Sequence, residues 1–337
     1  MSEGAAVRSA PAPAVTTPNR WLPAIVFAAT LVLASVLLFV RVPSTTVELN
    51  GTFTGLGFVS AQAQPLNRPM RLVALGVAGA TDAQLPEEAA SGGATAAFRI
   101  AVSDSAAAAN AGSIVLDRIT VPAGTRVWLS RTELPRQYRL SLRPAAAARI
   151  TAHADVAGAV AFASVGAPRS AATLGAPRGV DFTSGDGALD LEITLAPGPT
   201  APRWEQLVVR EVRVHRVDDD QEAARPLARP VSTILAGSLF FDALGGTERK
   251  LRAGEMLRFG EADGVFLTVD LRDDAIAAIF QGDVREMRTG SGDHPRTLMP
   301  SLLEWLRKRQ SLSLLWGSAL WLSGVALTLR RWWRKPE

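Results

Sequence analysis

The chain has 337 residues, 47% of them hydrophobic, room for two or three domains; basic residues at its two ends account for a formal charge of +4. It contains no cysteine, which excludes disulfides, zinc–thiolate sites, iron–sulfur clusters and thiol nucleophiles. No stretch interleaves basic and aromatic residues like a nucleic-acid-binding face, so nucleic acid is not an expected partner.

Residues 1–20 read as a polar tail with Arg8 and Arg20. Trp21 to Val40 follows, twenty residues without a charge between Arg20 and Arg41, about the length a helix needs to cross a bilayer core. A cleaved signal peptide would have a shorter apolar region, about 7–15 residues, and a small-residue cleavage site. "FVRVPSTT" offers none, so an uncleaved transmembrane helix is expected over 21–40. Ala24, Ala28 and Ser35 put small residues on one stripe of it, a candidate helix-packing face.

From residue 44 to 218 apolar and polar residues alternate in short runs bounded by Gly, Pro, Asp and Ser. "TTVELNGTFTGLGFVS", "MRLVALGVAG", "FRIAVS", "YRLSLR", "ARITAHADV", "AVAFASV" and "LDLEITLA" each predict a strand, and "SIVLDRITVPAGTRVWLSR" predicts two around a turn at Pro122–Gly124. In "EQLVVREVRVHRV" the valines Val212 and Val214 alternate with Glu211, Arg213 and His215, which puts His215 on a solvated face. Closely spaced strands and turns predict a β-sandwich. Their order, with a long alternating strand near the end, resembles a jelly-roll domain of the galactose-binding type over about residues 44–218. That resemblance implies possible glycan binding, with Trp128 and Trp204 as candidate sugar-stacking residues, against the commoner role of tryptophan as core. "TSGDGALDLE" holds Asp186, Asp190 and Glu192. Asp190 and Glu192 lie two apart on one strand face, and with Asp186 they form a candidate Ca²⁺ site or else a solvated strand edge.

Residues 219–230 carry acidic residues and prolines without periodicity and read as a linker. Residues 231–290 then predict a small β-barrel or meander of about five strands, with turns at Gly245–Gly246, Ala253–Gly254, Asp263–Gly264 and Asp273–Asp274. Leu257, Phe259, Phe266, Val269, Ile279 and Phe280 are its expected core. Over 300–310, Ser301 and Glu304 form a capping box, and Leu302, Trp305 and Leu306 share one face of a juxtamembrane amphipathic helix. A second run of nineteen uncharged residues spans 311–329, with Trp316 and Trp321 inside it. Arg330, Arg331, Trp332 and Trp333 follow in a basic tail, 330–337, and would anchor the span at the headgroup level. Ser313, Gly317 and Gly324 give this helix its own small-residue face.

The fold class expected is therefore mainly β: a jelly-roll-like β-sandwich plus a small β-barrel or meander, flanked by an N-terminal and a C-terminal transmembrane helix. Basic residues in both tails favour cytoplasmic termini and a periplasmic middle, although Arg307, Lys308 and Arg309 oppose this. Sparse lysine with abundant arginine and alanine is the residue usage of a GC-rich bacterial genome, which places the spans in a bacterial inner membrane. No phosphate-binding loop, nucleophile elbow or H-E-x-x-H motif occurs, and His153, His215 and His294 lie in three different segments. No cofactor is expected. The expectation is a non-enzymatic accessory or scaffold subunit that binds other membrane-protein subunits; the alternative is a ligand-binding or sensory module that reads a glycan or envelope component.

Overall fold

The computed structural model describes residues 28, 31–32, 35–66, 68–84, 97–103, 112–145, 148–164, 170–184, 187–216, 230–290, 295–308, 313, 317, 321 and 324. Period-two alternation makes the middle of the chain almost entirely strand. The first ten strands are β1 (Thr45–Phe53), β2 (Gly55–Ser60), β3 (Gln64–Pro65), β4 (Met70–Ala78), β5 (Ala80–Gln84), β6 (Ala97–Val102), β7 (Ser113–Val121), β8 (Arg126–Arg131), β9 (Gln137–Arg143) and β10 (Thr151–Ser164). Next come β11 (Ser170–Ser184), β12 (Leu189–Leu195), β13 (Arg203–Arg213), β14 (His215–Arg216), β15 (Val231–Ser232) and β16 (Ile234–Phe241). The last are β17 (Thr247–Leu251), β18 (Leu257–Phe259), β19 (Ala262–Leu271), β20 (Ile276–Val284), β21 (Met287–Thr289) and β22 (Arg296–Thr297), before helix α1 (Leu302–Lys308).

Every pairing is antiparallel. One path runs β13–β2–β8–β9–β12–β4, then through β6 and β7, laid end to end along β4, to β10, β11 and β5. A second path closes. β1 continues through Thr54 toward β2, β2 pairs with β13, β13 with β19, β19 with β20, and β20 returns to β1. This ring is a small closed barrel, and β16 and β17 extend it from the other edge of β1. Segments 44–218 and 231–290 are therefore joined through their strands in one sheet. They also share one apolar cluster running from Val47 through Leu140 and Trp204 to Met299. β14 and β15 pair across the linker, His215 opposite Ser232.

A second contact fastens the two halves. The turn between β8 and β9 docks on the β19–β20 turn, where Arg136 makes two 2.8 Å bonds to the Asp273 carboxylate. The Arg136 N–H donates to the Asp273 carbonyl (2.9 Å), and Arg131 donates to that of Asp274 (2.8 Å). Arg136 holds a left-handed φ of 59°, a conformation non-glycine residues rarely adopt. The Tyr138 hydroxyl is buried against the Arg272 and Ala275 carbonyls.

Several local expectations change. The turn at Pro122–Gly124 forms, with Gly124 at φ 81°, but β7 and β8 do not pair with each other. "ARITAHADV" and "AVAFASV" are one strand, β10, bulged near Gly158. Asp263–Gly264 is not a turn but lies inside β19, where Gly264 faces Gly282 of β20. Of the expected barrel core, Leu257, Phe259, Phe266, Val269 and Phe280 are buried and Ile279 is half-buried.

The chain ends of the β body meet. Arg41 bridges Ser301, the Val42 N–H donates to the Pro300 carbonyl (3.1 Å), and the Leu302 N–H donates to that of Val40 (2.9 Å). The capping box forms reciprocally: Ser301 N–H to the Glu304 carboxylate at 2.9 Å, Glu304 N–H to Ser301 Oγ at 3.2 Å. Leu302, Trp305 and Leu306 on α1 are half-buried.

Among the described residues no helix is long and apolar enough to cross a membrane, so the flanking transmembrane helices of the expected fold have no support there. Residues 28, 31, 32 and 35–39 are helical in the first run, and 313, 317, 321 and 324 in the second. Ala24, Trp316, Arg330, Arg331, Trp332 and Trp333 lie outside the described residues. Ala28, Ser313, Gly317 and Gly324 are exposed, and Ser35 donates its hydroxyl to the Leu31 carbonyl (2.8 Å).

Candidate functional site

Strand register brings residues far apart in sequence into rows on the outer face of the sheet. One row crosses seven strands: Arg213, Gly57, Trp128, Ser141, Asp190, Ala78 and Ala97 are successive neighbours from β13 to β6. The row on one side holds Gly55, Ser130, Arg139, Glu192, Gly76 and Arg99. The row on the other holds Glu211, Val59, Arg126 and Arg143. Successive side chains of a strand alternate between faces, so all these positions share one side. The alternate positions, including Phe58, Val127, Leu129, Leu140 and Leu191, are buried.

The floor of this face is made of small residues. An added Cβ at Gly57 would stand 2.6 Å from Trp128 Cε3, and one at Gly55 3.0 Å from Cζ2. The indole of Trp128 thus rests directly on two glycines and is half-buried. Around it opens a cleft of about 930 Å³ rimmed by Arg126, Arg131, Arg139, Arg143, Arg213 and Arg216. Ser130, Thr132, Ser141 and Glu133 supply its hydroxyls and its carboxylate. A second hollow of about 630 Å³ continues it over β12, β4 and β6, past Asp190, Glu192, Arg99 and Ser164, and shares Arg139, Ser141 and Arg143 with the first.

The cations are unevenly partnered. Arg213 meets Glu211 at 3.3 Å and Arg99 meets Glu192 at 3.7 Å. Arg126, Arg139 and Arg143 are exposed and form no ion pair among the described residues. Arg126 and Arg143 stand directly opposite each other across β8 and β9, a like-charge pairing that costs stability. His215 lines the edge of the cleft. Burial, then the charges of Arg258 and Arg213, holds its imidazole below the ordinary range, so it is neutral at pH 7.

Of the candidate Ca²⁺ residues, Asp190 and Glu192 sit in this cleft and Asp186 lies outside the described residues. Glu192 accepts a hydrogen bond from Gln137 and faces Arg99 and Arg139, cations that oppose a bound divalent ion. No group of three or more His, Asp and Glu among the described residues is placed to hold a metal ion. Trp204 is a core residue, 1% exposed, whereas Trp128 faces the cleft. His153 pairs with Asp181 far from the cleft, and His294 lies outside the described residues. The arginine cleft was not anticipated from sequence. Its members come from β8, β9, β13 and β14, and only the period-two spacing of Arg126, Trp128 and Ser130, or of Arg139, Ser141 and Arg143, hints at a common face.

Comparison with protein families, with curated proteins and with solved structures finds no match for the chain.

Proposed function

We propose that the chain is a non-enzymatic, membrane-anchored accessory or scaffold subunit of a bacterial envelope complex. Its larger β unit is jelly-roll-like and its β body faces the periplasm. The observation that carries this reading is the meeting of Val40–Val42 with Pro300–Leu302. The points at which the chain enters and leaves the β body, next to the uncharged runs 21–40 and 311–329, are thus adjacent, an arrangement that suits two spans anchored in one bilayer. Leu31, Val32, Leu38 and Phe39 of the first run are exposed, Phe39 by 80%, and Trp321 of the second by 68%. Apolar helical surface of this kind is stable in lipid or against partner helices, where small residues allow close backbone approach.

Crosslinking the tagged full chain in native membranes and identifying what copurifies tests the assignment. A stoichiometric membrane-protein partner is expected. Topology is read with Gly187→Cys, an exposed position with open space around it. In cells with a permeabilised outer membrane it should react with an impermeant maleimide. Labelling only after lysis would invert the topology, and a chain recovered alone would remove the accessory-subunit reading.

A second reading, a ligand-binding module, is favoured by Trp128 seated on Gly55 and Gly57 in an arginine-lined cleft. An aromatic face with convergent polar groups around it is the usual make-up of a binding site.

A further inference from the structure

We propose that the outer-face cleft holds an extended chain of anionic sugars, with a pyranose ring on Trp128 and the acidic groups on the arginines; the inference rests on the ligand-binding reading. Three features define the ligand. The first is charge. Arg126 and Arg143 face each other with no carboxylate between them, and Arg139 stands two same-face pairs along the strands, beyond Trp128 and Ser141. A bound carboxylate or sulfate turns this repulsion into paired, charge-assisted hydrogen bonds.

The second feature is the indole. Its lower side is occupied by the backbone of Gly55 and Gly57, so the ring is held by the sheet and not by flexible neighbours. A rigid aromatic plane in a polar cleft suits the apolar C–H face of a sugar ring while the rim meets its substituents.

The third is the other half of the cleft, where Asp190, Glu192 and Ser164 stand among Arg99 and the shared Arg139, Ser141 and Arg143. Carboxylates accept hydrogen bonds from sugar hydroxyls and repel phosphates. A ligand that carries hydroxyls beside its negative groups on each unit suits this mixed lining, which disfavours polyphosphate. The rows run across β13, β2, β8, β9, β12, β4 and β6. Six strand spacings of roughly 4.8 Å give about 29 Å, room for several residues of an extended polymer.

The test is calorimetric binding to the full chain in detergent of three probes: an alginate hexamer, a neutral dextran oligomer of equal length, and polyphosphate. Alginate is expected to bind best, and more weakly as salt rises. Trp128→Ala, and separately the double change Arg126→Gln with Arg143→Gln, should each weaken it by roughly tenfold or more. Trp128→Phe, which keeps an aromatic ring, should retain most of the affinity, and Arg252→Gln, an exposed change outside the cleft, should leave it unchanged. Polyphosphate binding as tight as alginate, or alginate binding indifferent to the cleft variants, would overturn the inference. Tight dextran binding that depends on Trp128 and not on the arginines would overturn the anionic class and leave the ligand-binding reading standing. No binding of any probe would remove both.

Discussion

His153 is held by two carboxylates. Its Nδ1 lies 2.7 Å from Asp181 and its Nε2 3.5 Å from Asp155, and the ring covers Gly179, where an added Cβ would stand 2.8 Å from Cε1. The hydrogen bond to Asp181 raises its pKa above the ordinary value, partial burial opposes this, and the fields of Asp181, Asp155 and Asp117 add to the rise. A raised folded-state pKa stabilises the fold fully below the unfolded value of about 6.5, and the gain is lost as pH rises through the folded pKa. His153→Ala should therefore cost more stability at pH 5.5 than at pH 9. The difference should be ~0.5 kcal/mol, the scale of a partly exposed ion pair, read from urea unfolding of the solubilised chain at the two pH values. An equal cost at both would mean that the imidazole acts only by covering Gly179. Tyr138 is the opposite case: burial pushes its hydroxyl up to about 12, so it remains a neutral donor to the β19–β20 turn at any working pH.

Strand glycines roofed by aromatic rings recur as a local device. Phe53 covers Gly51, Phe280 covers both Gly264 and Gly282, and Trp128 covers Gly55 and Gly57. Phe53 and Phe280 are buried, so their rings replace the missing side chains and let β1, β19 and β20 approach closely. Gly282→Ala would place a methyl 2.6 Å from Phe280 Cζ. Such overpacking should cost about 1–3 kcal/mol, seen as a lower urea midpoint with an unchanged slope. A variant as stable as the parent would show that the barrel wall yields at that point. The strands with clean alternation, such as β1 and β12, were readable from sequence because one face of each is apolar. β11 was not, since Gly175, Pro177 and Gly179 break its pattern and β10 and β5 supply the pairing that makes it a strand. Gly264 was misread as a turn for a related reason: Asp-Gly is a strong hairpin signal, and only the close approach of Gly282 reveals why a glycine is needed inside β19. The site was less legible still. Trp128 and Asp190 could be singled out one by one, but the row that joins them through Ser141 is a product of register between three strands.

At the scale of the molecule, an acidic, proline-containing stretch at 219–230 reads as a boundary, yet β1, from the start of the chain, forms the barrel wall with β16 and β20 from beyond that stretch. The turn contact at Arg136, Tyr138 and Asp273 fastens the same halves at a second place. One shared apolar cluster predicts one cooperative unfolding event. Tryptophan fluorescence and far-ultraviolet circular dichroism should give coincident urea transitions for the solubilised full chain, and two separated transitions would show that the segments hold independent cores. The junction at Arg41 and Ser301 has a mechanical meaning as well. A pull that parts the two helices shears the Val40–Leu302 and Val42–Pro300 bonds first, before any load enters β1. A tilt common to both helices turns the whole β body as one lever, its pivot at this bridge and its far arm at the end of β1, where Thr54 hands the chain on to Gly55 and Gly57 on the floor of the cleft.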